Sequence, residues 1–167
     1  MHYYSKVKTE AGWFWIGFST AGITMISPVH GSSDAFETAY HKRFSVQPQS
    51  GKIPEQYARA LQEAAAGRKP GPAPIDLTGL SQFQLKVLNV LRKVPRGEVR
   101  TYGELASLAG RPKAVRAVGN VMACNPVPIL IPCHRVVPSS GGVGNYGLGP
   151  QLKRTLLARE GVRIDKL

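Results

Sequence analysis

Cysteine is scarce in this chain: Cys124 and Cys133 are the only two among 167 residues. Two thiols cannot build the disulfide scaffold of a small secreted domain, and in a reducing compartment each is free by default. No C-x-x-C or H-x-x-x-H spacing accompanies them, so no metal is expected. No apolar run approaches the ~20 residues that cross a bilayer. The opening MHYYSKVKTE also lacks the apolar core of a signal peptide. The expectation is a monomer without membrane association, cytoplasmic, or nuclear if the source is eukaryotic. With 43% hydrophobic residues, the chain should pack into globular structure rather than stay disordered.

Acidic residues are few as well, 10 Asp/Glu against 22 Lys/Arg, for a net charge of +12. The imbalance is lopsided. Residues 1–79 hold 8 basic and 6 acidic residues, whereas residues 80–167 hold 14 and 4. A positive field concentrated on one half attracts polyanions and speeds their encounter.

What is present divides the chain into three parts. GRKPGPAPIDLTG (67–79) is rich in glycine and proline at its start and reads as a linker. Residues 1–66 then form a small N-terminal α/β support domain, and residues 80–167 a C-terminal domain. In the first, GWFWIGF and GITMISP flank Ser19-Thr20-Ala21, which predicts a hairpin. PEQYARALQEAAAG predicts a helix opening at Pro54, with Tyr57, Leu61, Ala64 and Ala65 on one face. The fold class is α/β in the α+β sense, with a sheet-plus-helix unit followed by a mostly helical one.

The C-terminal part carries stronger local signals. Ser81 with Gln84, and Thr101 with Glu104, stand at capping-box spacing before apolar runs of helical period. Gly110 is a natural helix stop, and PKAVRAVGNVMACN predicts a further helix with Pro112 as its first residue. Two helices joined so tightly suggest a helix-turn-helix. In the second, Ala114, Ala117, Val118 and Val121 should face inward, leaving Lys113, Arg116 and Asn120 on the outer face. On a basic domain, that face points to nucleic-acid contact.

NPVPILIPCHRVV (125–137) places Cys133 after a short aliphatic strand, PILI, and directly before His134 and Arg135. A Cys124–Cys133 disulfide would have to close over a segment stiffened by Pro126, Pro128 and Pro132. Cys124 reads as buried filler. Cys133 reads as a nucleophile, because a thiol with a pKa near ~8.5 needs a neighbouring base to become thiolate at neutral pH. Histidine titrates in the right range. Residues adjacent on a straight strand point to opposite faces, so the chain must bend after Pro132.

These residues, with GEVRTYGELASLAG, KAVRAVGNVM, GGVGNYG and LLAREGV, resemble the O6-alkylguanine-DNA alkyltransferases across about residues 80–163. The N-terminal half resembles them only loosely. The resemblance implies DNA repair by direct reversal. An O6-alkylguanine in double-stranded DNA, with O4-alkylthymine as a second candidate, is flipped out, and its alkyl group passes irreversibly to Cys133, once per molecule. It further implies His134 as base, polarised by Glu160 through a water, Asn125 as a brace, and Tyr102 as helper in flipping and protonation. Arg116 would fill the space the base leaves. Lys113, Ala114, Ala117, Gly119 and Asn120 would meet the minor groove, and Met122, Val136, Tyr146 and Gly147 would line the base pocket.

Overall fold

A computed structural model describes residues 1–167. The chain is mixed α/β and separates into two compact units, Met1–Gly79 and Leu80–Leu167.

The first unit is built on β1 (His2–Thr9), β2 (Gly12–Ser19), β3 (Gly22–Pro28) and the short β4 (Gln49–Ser50), in sheet order β3-β2-β1-β4. β1 to β3 form an antiparallel meander, and β4 runs parallel to β1. The Ser19–Gly22 connection is the hairpin that the sequence predicts. Alternation sorts the two central strands: Val7, Phe14, Ile16 and Phe18 are buried, with Val7 set opposite Phe14. α2 (Glu55–Ala65) contributes Tyr57, whose ring meets Phe18 edge-on at 6.2 Å between centroids. On the opposite face lies α1 (Asp34–Phe44), which brings Phe36 and Tyr40 against Tyr4, Trp15 and Gly17. Gly17 is required there, since a β-carbon would collide with the Tyr40 ring.

Residues 67–79 correct the linker reading. The Pro74 carbonyl accepts from the Ile23 amide at 2.9 Å, and the Asp76 amide donates to the Ile23 carbonyl at 2.8 Å. The proline-rich segment is therefore tied to the start of β3 at Ile23 rather than hanging free, which occupies backbone groups an edge strand would otherwise expose there.

The second unit contains α3 (Gln82–Leu91), α4 (Tyr102–Leu108), α5 (Val115–Ala123) and α6 (Pro150–Arg159). β5 (Arg100–Thr101) pairs in parallel with β6 (Val136–Val137). Both capping boxes form. Ser81 and Gln84 exchange bonds of 3.2 and 2.8 Å, and Thr101 and Glu104 exchange bonds of 3.1 and 2.7 Å. Each satisfies donors that a helix start leaves open. Gly110, at φ 73°, ends the α4 segment as only glycine does without strain. α5 starts later than predicted. Pro112 and Lys113 lie in a turn closed by the Ala114 amide on the Arg111 carbonyl, and Ala114 caps the helix. Val87, Leu88, Leu91, Leu105, Val118, Val121, Leu156 and Leu157 are buried in its core.

Candidate active site

PILI is not a strand. The Asn125 side-chain oxygen accepts from the Val127 amide at 3.1 Å, and the Ile131 amide turns back onto the Val127 carbonyl at 2.9 Å. Ile129 is buried at φ 74°, a left-handed conformation that a β-branched residue adopts only when its surroundings impose it. The result is a tight buried loop ending at Pro132. Cys133–Arg135 then form one 3-10 turn, the bend that an adjacent thiol and imidazole require.

Asn125 clamps this segment twice through one nitrogen. Nδ2 donates to the Ile131 carbonyl at 3.0 Å and to Cys133 Sγ at 3.1 Å. Cys133 is buried, and burial pushes its thiol pKa up. The Asn125 bond, the Lys153 charge and nearby dipoles act in the opposite direction. A donor aimed at sulfur favours the thiolate over the thiol.

His134 is almost wholly enclosed, at 1% exposure. Its Nε2 lies 2.8 Å from Glu160 Oε1. The contact is direct, which corrects the expectation of a water between them. Burial lowers the His134 pKa, with Glu160 acting against it, so the ring is neutral at neutral pH. Beside an ionised carboxylate, the neutral ring places its hydrogen on Nε2 and leaves Nδ1 as the basic nitrogen. Nδ1 is buried without a hydrogen-bond partner within the protein.

Glu160 also accepts from Arg135, Nε to Oε2 at 2.9 Å and an NH2 nitrogen to Oε1 at 2.9 Å. Burial alone would raise its pKa, but the hydrogen bonds from His134 and Arg135 outweigh it and hold the carboxyl down at about 2. Arg135 gives its remaining terminal nitrogen to the Val94 carbonyl at 2.7 Å. Arg135 is thus a brace for the carboxylate.

A cavity of about 390 Å³ opens on Cys133, lined by Tyr102, Gly119, Met122, Ala123, Asn145, Tyr146 and Gly147. Met122, Tyr146 and Gly147 all stand in its wall. Tyr102 comes from the start of α4, and Gly119 from α5 reaches the same cavity. Burial keeps Tyr102 and Tyr146 protonated, their pKa values both raised, that of Tyr146 strongly. The Tyr146 hydroxyl is buried near the thiol without hydrogen-bond geometry to any acceptor.

Val136 does not line the cavity. It is fully buried in β6, and its carbonyl accepts from Lys153 Nζ at 2.6 Å. Cys124 is not filler either, since it caps α5 in an exposed position. On α5, Arg116 and Ala117 are followed by the buried Val118, then by Gly119 and Asn120; Ala114 caps the helix, and Lys113 is exposed in the preceding turn.

Lys153 escapes a reading of the sequence alone. It is fully buried, and its ammonium ties the Val136 carbonyl to that of Asn145 at 3.1 Å. Burial lowers its pKa to about 8, against the attraction of Cys133. The signal is present: Lys153, Leu156 and Leu157 share the i, i+3, i+4 face of α6.

Fold and site together define a helix-turn-helix unit that encloses a cysteine, a carboxylate-oriented histidine and a cavity reached from the helix that follows the turn. The DNA-binding domain of 6-O-methylguanine DNA methyltransferases matches residues 82–162. Human methylated-DNA–protein-cysteine methyltransferase is 61% identical over 85 residues, 50% of this chain and 41% of that protein. The match to that curated relative therefore spans about two fifths of its length. Whole-chain likeness comes from solved structures. The Mycobacterium tuberculosis OGT in complex with DNA is 31% identical, with 95% of this chain and 92% of that chain covered at a TM-score of 0.77. The O6-methylguanine-DNA methyltransferase of Pyrococcus kodakaraensis is 30% identical, with 97% and 100% covered at a TM-score of 0.73. The chain belongs to the O6-methylguanine-DNA methyltransferase family.

Proposed function

We propose that this protein repairs DNA by moving the alkyl group of an O6-alkylguanine onto Cys133. The observation that carries the reading is a hydrogen-bonded thiol at the floor of a cavity shared with Tyr102 and with α5. Sulfur attacks the saturated carbon on O6, the S–C bond forms, and the C–O6 bond breaks. The thiol proton goes to the His134 side, where Nδ1 is the only ring nitrogen with a lone pair to receive it. Tyr102, held protonated, supplies a proton to the departing guanine. The thioether has no leaving group for water to displace, so each molecule reacts once. O4-alkylthymine is a candidate second substrate of the same chemistry.

A duplex buries O6 in the stack, and turning the nucleotide out costs a few kcal/mol. Arg116, on α5 without a carboxylate partner, is placed to offset that cost by occupying the gap. Each ~1.4 kcal/mol of offset removed slows the reaction about tenfold. Arg116→Ala should therefore slow repair of an O6-methylguanine duplex by about tenfold or more while leaving reaction with free O6-benzylguanine nearly unchanged. Equal losses on both substrates in single-turnover kinetics would remove the gap-filling role.

The size of the alkyl group should be set at Gly147. A β-carbon there meets nothing within 4 Å, so the position is open space in the cavity wall. Gly147→Leu fills it. Reaction with O6-benzylguanine is expected to fall roughly tenfold or more, in line with the discrimination a filled apolar pocket gives. Transfer of a methyl group should change far less. Parallel losses for the two groups would show that this wall does not face the substituent.

The direct test of the whole reading is mass spectrometry. After incubation with an O6-methylguanine duplex, the peptide containing Cys133 should carry one added methyl, with one equivalent transferred per chain. Continued turnover, or methylation at exposed Cys124 instead, overturns the mechanism.

A further inference from the structure

The first unit holds a surface that includes none of the candidate active-site residues. On the central strands, Lys6 stands opposite Trp15 and Lys8 opposite Trp13. All four side chains project from the sheet face on which α1 packs. That cover is partial. Phe36 packs on Tyr4 and Trp15, whereas the indole of Trp13 is left 46% exposed.

Both lysines crowd this indole. Lys6 Nζ lies 4.9 Å from the Trp13 ring centroid and 5.8 Å from that of Trp15, and Lys8 Nζ lies 5.9 Å from Trp13. Neither ammonium has a carboxylate partner; the nearby acid in sequence, Glu10, pairs with Arg68. A ring face attracts a cation, and lysine stems can shield an exposed ring. One lysine suffices for shielding. Two unneutralised cations beside an exposed indole, on a pleated surface, make a site for an anion that also has a flat face.

We propose that Lys6, Lys8, Trp13 and Trp15 form a docking surface for a single-stranded stretch of DNA, with an unpaired base stacking on Trp13 and phosphates meeting the two lysines. Charge complementarity selects a polyanion, and the indole selects one with free base faces. Stacking of this kind tolerates any sequence. A duplex would use the lysines and leave the indole idle, because its base faces are already stacked. An acidic peptide would also meet the charges but would leave the ring without a planar partner.

The chain has two tryptophans and both belong to this surface, so intrinsic indole fluorescence reports on it alone. The α5 face contains none. Oligothymidylate added to the whole chain should quench that emission saturably. Trp13→Ala should weaken the interaction at least about fivefold, the lower end for a stacked base. Lys6→Ala with Lys8→Ala should flatten the salt dependence by about 1.4 in log–log slope, at ~0.7 for each phosphate of a single strand that is no longer neutralised. Arg116→Ala should leave the quenching in place, and the lysine variants should react normally with free O6-benzylguanine. Because that reaction is scored separately, loss of this proposal leaves the alkyl-transfer reading standing, and the reverse holds too. Absence of quenching overturns the proposal, as does quenching indifferent to the lysine pair. Stronger quenching by polyglutamate than by oligothymidylate would overturn it too, and would assign the surface to a protein partner instead.

Discussion

Cys133→Ser protein should keep its original mass after any length of incubation with an O6-methylguanine duplex, while the unaltered chain gains a single methyl. The contrast follows from the site's chemistry rather than from its shape. Serine preserves the side-chain volume closely and can still accept from Asn125 Nδ2, so the loop and cavity should persist. What serine lacks is an accessible anion. Burial already pushes the thiol pKa up, and a hydroxyl starts far higher, so almost none of it is anionic near neutral pH. Oxygen is also a harder, poorer nucleophile than a thiolate toward a saturated carbon. The variant should still bind the lesion duplex. If the unaltered chain also binds without gaining mass, it is a lesion-binding protein and not an alkyltransferase. If the serine variant transfers, Cys133 is not the acceptor.

The second large effect is expected at Glu160. This carboxylate holds three donors, one from His134 and two from Arg135, with almost no solvent contact. Glu160→Gln keeps the shape but removes the charge. The Arg135 guanidinium then loses its counter-ion, and the amide nitrogen faces donors. Breaking a buried pair on one side costs about 3–5 kcal/mol. A thermal or denaturant melt should show that loss, and alkyl transfer should slow because the His134 hydrogen is no longer pinned to Nε2. An unchanged melting temperature would mean that Arg135 is held by Val94 alone.

The same carboxyl predicts acid sensitivity. Its pKa in the folded protein is about 2, against an ordinary 4.5. Between those values the unfolded chain binds the proton that the folded one refuses, so stability rises with pH across the window. The contribution is complete above about pH 4.5 and fades as pH falls toward 2. Glu160→Gln should flatten that part of the stability profile, which equilibrium unfolding at several pH values would show.

Local chemistry is legible in the sequence. The capping boxes at Ser81 and Thr101, the glycine stop at Gly110 and the β2–β3 hairpin each depend on residues within a few positions of one another. So does the bend at Cys133, which follows from what an adjacent base must do. Sequence reasoning fails where tertiary contacts decide. α1 gives no clear periodic signal, because it presents only a narrow aromatic stripe to the sheet. Pro112 looks like a helix start, yet the turn after Gly110 runs on to Ala114 before α5 begins. PILI has strand composition, but the Asn125 clamp and the left-handed Ile129 fold it into a loop. The family resemblance implies Val136 for the pocket, whereas its pairing in β6 turns it into the core. Lys153 is easily overlooked because buried lysines are rare, although its helical face gives it away.

That lysine has an architectural consequence. By gripping carbonyls at residues 136 and 145, one ammonium gathers the two ends of the intervening segment like a drawstring, without any covalent link. The wall of the cavity at Tyr146 and Gly147 hangs directly from this knot. One anchor of that wall is therefore a single proton-bearing nitrogen, fastened from inside the fold and out of reach of the solvent.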